Sequence, residues 1–214
     1  MNWELIGHGL HREDQCNGDM NLVDVQSDGG IHAPTIRYHK GTFYIITTNV
    51  YNSGDGKPGL MRNFVITAKD PSGPWSEPHI IEGAPGIDPD IFFDTDGKVY
   101  FTGTHSPGDM NANGIGEIWI QELDIKNWKL RGDRKTVWDG VFGCCTEGPH
   151  IYKEHGLYYL LVAEGGTGKN HAVMMAASKD IFGPYEENQR NPVLTTRHVT
   201  NDYFVNSTGH ADMI

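Results

Sequence analysis

The apolar residues of this chain fall into short runs rather than long periodic stretches. Runs at 42–48, 63–68, 98–102, 117–123, 158–163 and 172–177 are rich in β-branched and aromatic residues. Turn signals such as Asn52-Ser53-Gly54, Asp96-Gly97 and His155-Gly156 punctuate the sequence between them. No segment sustains a 3.6-residue apolar period, which argues against a helical solenoid. The pattern predicts an all-β chain of short strands.

The runs also repeat. Ala33-Pro34-Thr35-Ile36 is followed by Gly41 and Phe43-Tyr44, Asp88-Pro89-Asp90-Ile91 by Gly97 and Val99-Tyr100, and Gly148-Pro149-His150-Ile151 by Gly156 and Tyr158-Tyr159. Each reads strand, tight turn, strand, and a fourth copy opens at His210-Ala211-Asp212-Met213. Second halves echo too: Lys69-Asp70-Pro71-Ser72-Gly73-Pro74-Trp75 matches 179–185, and Asn2-Trp3-Glu4-Leu5 matches Asn127-Trp128-Lys129-Leu130. About four strands in a unit of roughly 55 to 60 residues is the size of a propeller blade. The chain then holds three whole blades flanked by two partial ones, with the opening strand of each unit lining one shared channel.

Composition narrows the chemistry. With 17 Lys and Arg against 28 Asp and Glu, the formal charge of -11 argues against a nucleic-acid partner, which demands a basic face. No run approaches the roughly 18 to 20 apolar residues of a membrane span, and the first residues carry no export pattern. The three cysteines, Cys16 and the adjacent Cys144-Cys145, lack metal spacing and form no disulfide framework. They read as buried reduced thiols, which tilts the expected location towards the cytoplasm.

Among the acidic residues, Asp94/Asp96 and Glu186/Glu187 sit in turns and read as solvated surface. Asp88 and Glu147 differ, because Gly86-Ile87-Asp88-Pro89 and Thr146-Glu147-Gly148-Pro149 embed each carboxylate among Gly, Pro and apolar neighbours. A carboxylate is costly there unless it is paired or used. Two such groups at one channel could flank a glycosidic bond, one donating a proton to the leaving oxygen. A structural hydrogen bond at a blade start accounts for either residue equally well.

The segment Cys145-Thr146-Glu147-Gly148-Pro149-His150-Ile151-Tyr152-Lys153, with Ala163-Glu164-Gly165-Gly166-Thr167 after it, resembles the general-acid blade of glycoside hydrolase family 43, in particular its β-xylosidase branch. The stretch from Gly29-Gly30-Ile31-His32 to Arg37-Tyr38, Gly86-Ile87-Asp88-Pro89 and Thr208-Gly209-His210-Ala211-Asp212 resemble the same family, in order along the whole chain. The resemblance implies a five-bladed β-propeller, incomplete here, as a single catalytic domain over residues 1–214. It implies an inverting glycosidase that removes terminal β-D-xylose, with α-L-arabinofuranose as a second sugar, from xylo-oligosaccharides and arabinoxylan-derived substrates.

By matching motif, Glu147 is similar to the general acid and Asp88 to the residue that raises the acid's pKa and orients it. His32, Ile87, Thr167 and His210 are implied to contact substrate; His32 stands where many relatives have Trp, and Thr167 ends the Gly165-Gly166 loop. His210 also resembles a channel histidine that helps position a hydrated ion, here expected to be calcium, although the hydrolysis requires no cofactor. The family's general base lies in a Pro-Asp-Pro motif, and this sequence contains none. The expectation is that the strand carrying it precedes Met1, that most of the last blade follows Ile214, and that a second copy covers the open propeller edges. A catalytically silent carbohydrate-binding propeller, or an inactive fragment, is the competing expectation.

Overall fold

The computed structural model describes residues 3–18, 20, 22, 25, 29–51, 60–142, 144–200 and 204–213. Asn2 and the expected Asn52-Ser53-Gly54 turn lie outside them. Three antiparallel sheets carry the chain. The first runs β1 (Gly30–His39), β2 (Thr42–Tyr51), β3 (Leu60–Ala68) and β4 (His79–Ile80). The second runs β5 (Asp90–Phe93), β6 (Val99–His105), β7 (Glu117–Asp124) and β8 (Lys129–Trp138). The third orders β9 (Glu147–Glu154), β10 (Leu157–Glu164), β11 (Ala172–Ser178) and β12 (Glu186–Glu187), with β13 (Leu194–Thr195) also pairing β11. Each is a propeller blade, the opening strand of a repeat unit at its inner edge.

Turn chemistry explains the hairpins. Lys40-Gly41 and His155-Gly156 both hold positive φ at two consecutive residues, 46° and 78°, 50° and 79°. That is the two-residue turn whose twist matches the strands it joins. The repeat seen in sequence also recurs in space, since 69–75 and 179–185 each end in a buried aromatic, Trp75 and Tyr185.

The blades stack through alternating side chains. On β6, Tyr100 joins Ile151, Leu160 and Met174 of the third sheet, while the next residue, Phe101, joins Tyr44, Ile46 and Val65 of the first. On β7, Ile118 and Ile120 face one neighbour and Trp119 the other. A strand buried on both faces reads as a continuous apolar run, which is why 98–102 and 117–123 lack alternation. Trp119, Phe101, Ile118 and Ile120 are 0% exposed, and each buried side chain of this size contributes about 1.5–3 kcal/mol.

Four expectations need correction. Asp94, read as solvated, is buried and bonded to Lys153 and Tyr158, and Glu186-Glu187 forms β12 rather than a turn. Residues 3–6 match the start of an outer strand in sequence, yet they are irregular and Trp3 is exposed. Only Lys129-Leu130 of the paired segment lies in a strand, because Trp128 turns with φ 55°. The unit at His210 forms no strand among the described residues. The cysteines are not all buried: Cys144 is exposed, and Cys16 and Cys145 are half-buried, none of the three in a disulfide.

Candidate active site

Asp88 and Glu147 come from adjacent blades, each at a break in regular pairing. Asp88 does not start its strand. It stands before β5 with φ 55°, between Ile87 and a proline that has no N–H for a ladder. Glu147, expected just before a strand, is instead the first residue of β9 and pairs with Ala163. The register shifts between Leu161 and Ala163, opposite Gly148 at φ 58°. A bulge of this kind re-aims side chains at a blade rim.

Close packing fixes the lead-in to Asp88. A Cβ on Gly86 would stand 1.6 Å from the carbonyl oxygen of Thr104, so no other residue fits. The Asn63 amide donates to the carbonyls of Ala84 and Gly86, both at 3.0 Å. Thr104 then ties the two carboxyl-bearing segments together: its N–H donates to Ile87 O at 3.3 Å, and its hydroxyl donates to Thr146 O at 2.8 Å. One fully buried threonine thus grips the residues that precede Asp88 and Glu147.

Both carboxyls are nearly inaccessible, 5% and 8% exposed, and both sit above the ordinary carboxylate range. Burial is the first cause for each. It pushes Asp88 up to about 7, with the charge of Glu147 adding to it, while the Gly148 N–H bonded to the Asp88 carboxyl and the nearby His150 oppose the rise. The expectation was that Asp88 raises the acid. In the structure burial alone raises Glu147, whereas the charge of Glu147 adds to the rise of Asp88. Burial thus favours the protonated form of both carboxyls.

A third carboxylate, Glu164, escaped the residue-by-residue reading although its segment carried the resemblance. It is fully buried and accepts hydrogen bonds from Val141 N and Phe142 N, at 3.0 Å for the latter. Gly140 has no room for a Cβ beside it. Gly165 N donates to Cys144 O at 3.2 Å, so the loop before Glu147 is folded around the end of β10.

Below the pair lies a charged network that sequence reasoning also missed. Arg37 on β1 bonds Asp90 on β5 (Nε to Oδ1, 2.9 Å; Nη2 to Oδ2, 2.5 Å) and Asp212 (Nη1 to Oδ2, 2.7 Å). His150 Nδ1 on β9 lies 3.0 Å from both Asp90 Oδ2 and Arg37 Nη2, and the Tyr152 hydroxyl donates to Asp212. Asp90, His150 and Asp212 each follow the Pro89, Pro149 or Ala211 position of the repeat. That shared repeat position was the available signal.

The other expected residues separate. His32 is half-buried at a β1 bulge, where Thr47 donates to its carbonyl at 2.6 Å. Ile87 contributes its carbonyl to Thr104, and Thr167 is exposed on the loop after β10. His210 packs where a Cβ on Gly148 would lie 2.5 Å from its Nε2, so it abuts the Glu147 segment. Burial first, then His150 and His171, push His210 down to about 4, which keeps it a neutral imidazole. Among the described residues no group of three or more His, Cys, Asp or Glu could hold a metal ion. The expected hydrated calcium would meet His210 through water oxygens rather than through the imidazole directly, and no chemical step is routed through it.

The chain matches the profile described as glycosyl hydrolases family 43 over residues 1–214. It is 47% identical to a xylosidase/arabinosidase of Butyrivibrio fibrisolvens, over 99% of this chain and 40% of that protein. It is 37% identical to a beta-xylosidase of Bacillus subtilis, over 100% of this chain and 39% of that protein. A crystal structure of xylan beta-1,4-xylosidase from Bacillus halodurans superposes with a TM-score of 0.81 at 36% identity, covering 94% of this chain and 37% of that one. The chain therefore spans about two fifths of the length of these relatives. Blade architecture, profile match and sequence identity agree, and the chain belongs to glycosyl hydrolase family 43.

Proposed function

We propose that this chain carries the acid side of an inverting exo-glycosidase that removes terminal β-D-xylose from xylo-oligosaccharides and accepts terminal α-L-arabinofuranose. The observation that carries the reading is the buried Asp88–Glu147 pair, in which burial raises both carboxyls and pushes Asp88 up to about 7. Glu147 donates its proton to the glycosidic oxygen as the bond to the anomeric carbon breaks. Asp88 orients the Glu147 segment and, by its own charge, disfavours ionisation of the acid. Inversion requires a separate base about 6.5–9.5 Å from the acid with water between. The names of the relatives, xylosidase/arabinosidase and beta-xylosidase, support the choice of sugars.

The test is hydrolysis of aryl β-D-xyloside and aryl α-L-arabinofuranoside by the purified 214-residue chain, with Glu147→Gln alongside. Turnover that depends on Glu147 supports the reading. A folded chain that binds xylo-oligosaccharide without turning it over favours a binding propeller instead.

A further inference from the structure

Cys144 and Cys145 take no part in the hydrolytic scheme, yet they stand three and two residues before Glu147. Their Sγ atoms lie 2.6 Å apart, with Cys144 exposed and Cys145 half-buried. Cys145 holds φ 60°, in the left-handed region where a side chain is strained. The backbone is pinned on both sides of it. Cys144 O accepts from Gly165 N at 3.2 Å, while Thr146 O accepts from Thr104 Oγ1 at 2.8 Å and Gly116 N at 3.0 Å, and Thr146 Oγ1 donates to Asp139 O at 2.8 Å.

We propose that Cys144 and Cys145 form a reversible modification site for low-molecular-weight disulfides, closing to a vicinal disulfide that displaces Glu147. The effect on turnover rests on the reading of Glu147 as the acid; the modification itself does not. The Cys144 thiolate attacks one sulfur of the small disulfide, that S–S bond breaks, and the released thiolate takes up the proton Cys144 gave up. Cys145 sulfur then attacks Cys144 Sγ and expels the second small thiolate, which takes up the Cys145 proton. Two protein thiols are oxidised, and one small disulfide is reduced to two thiols.

The order follows from the surroundings. The hydrogen bond to Cys144, then burial, push the Cys145 thiol up to about 11, so the exposed Cys144 attacks first. Adjacent Cα atoms across a trans peptide are ~3.8 Å apart, closer than the ~4.4–6.8 Å usual for bridged cysteines. The closed ring is strained and hence readily reduced. Its strain falls on the peptides between Cys144 and Thr146, whose hydrogen bonds fix Glu147.

The experiment uses the 214-residue chain with Cys16→Ser, incubated with oxidised glutathione and read by intact mass and peptide mapping. The expected result is the loss of two hydrogens on the peptide that holds both cysteines, reversed by dithiothreitol. Adding Cys145→Ser should halt the reaction at a stable glutathione adduct on Cys144. A lasting adduct on the intact pair, or no reaction, overturns the site. Displacement is read by hydrogen exchange at the Gly165 amide, which should quicken on oxidation; unchanged exchange overturns the displacement. Where the reduced chain turns over xyloside, oxidation should abolish it. Where it does not, the hydrolytic reading fails, and mass and exchange still decide the thiol site.

Discussion

Asp88 accepts a hydrogen bond from the N–H of Gly148, the residue that directly follows Glu147. The bond crosses from one blade to the next, so the position of one carboxyl is written into the backbone that carries the other. Stacking of Tyr100 on Ile151 and Leu160 brings those blades together. Geometry and titration of the pair are therefore set by the same blade contact.

The direct consequence concerns Glu147→Gln. Gln cannot donate a proton, but it keeps the size and most of the contacts of Glu. Hydrolysis of substrates with poor leaving groups should fall about 10²- to 10⁴-fold. Activated aryl glycosides, whose leaving group departs without a proton, should lose much less. Equal losses on both substrate types would remove Glu147 from the acid role.

For Asp88 the outcome is a stability measurement with a defined sign. Its folded pKa of about 7 exceeds the ordinary value of 3.8, so the folded chain binds the extra proton between those two pH values. That contribution is fully present below about pH 3.8 and lost as pH rises through 7, on the order of 2–4 kcal/mol. Asp88→Asn, which stays neutral and can still accept from Gly148, should leave the chain more stable than the parent at pH 8 and nearly equal at pH 4. In a form that turns over, removing the Asp88 charge should lower the acid's pKa, moving the alkaline limb of the rate profile to lower pH. Denaturant curves at both pH values check the first part; a constant difference across pH would mean Asp88 does not titrate as described.

Much of this was legible in the chain because blades impose a repeat. Pro34, Pro89 and Pro149 each mark an inner strand, and Lys40-Gly41 and His155-Gly156 supply turns that local residue preference alone explains. The exposed strand β8 was harder to read, since Lys129, Arg131, Gly132 and Asp133 make no apolar run and only its pairing with β7 makes it a strand. The Arg37–Asp90–Asp212 network was missed for a different reason: its members are far apart in sequence, and the shared repeat position after Pro89 and Ala211 hints at a meeting without naming the partners. Glu164 looked like the end of an apolar run, and its role depends on a loop that folds back from 140–146.

Thr104 offers a test of positioning rather than chemistry. Thr104→Val keeps the shape but loses the hydroxyl that donates to Thr146 O and accepts from Gly116 N. The carbonyl of Thr146 keeps the Gly116 bond, so the fold should survive at a cost of about 1–3 kcal/mol. The Glu147 segment loses one of its two tethers to the Asp88 blade, and kcat should fall with KM little changed. Thr104→Ser should restore the rate. A variant that loses stability alone would make Thr104 purely structural.

The channel network answers to the same reasoning with larger stakes. Asp90 is 1% exposed at its side chain, and Arg37 supplies two of its hydrogen bonds. Although burial of Arg37 works against its charged form, Asp90 and Asp212 hold its pKa above the usual value. Arg37→Met removes the cation and leaves the buried Asp90 carboxylate with only His150 as a side-chain partner, which should cost about 3–5 kcal/mol. Adding Asp90→Asn should recover part of that loss, because the uncompensated charge goes with it. Urea midpoints of the parent, the two single variants and the double variant give the coupling directly. Losses that simply add would show that the pair does not act as a unit, and would move the joining of the first two blades onto the apolar contacts of Tyr44 and Val65 with Phe101 and Trp119.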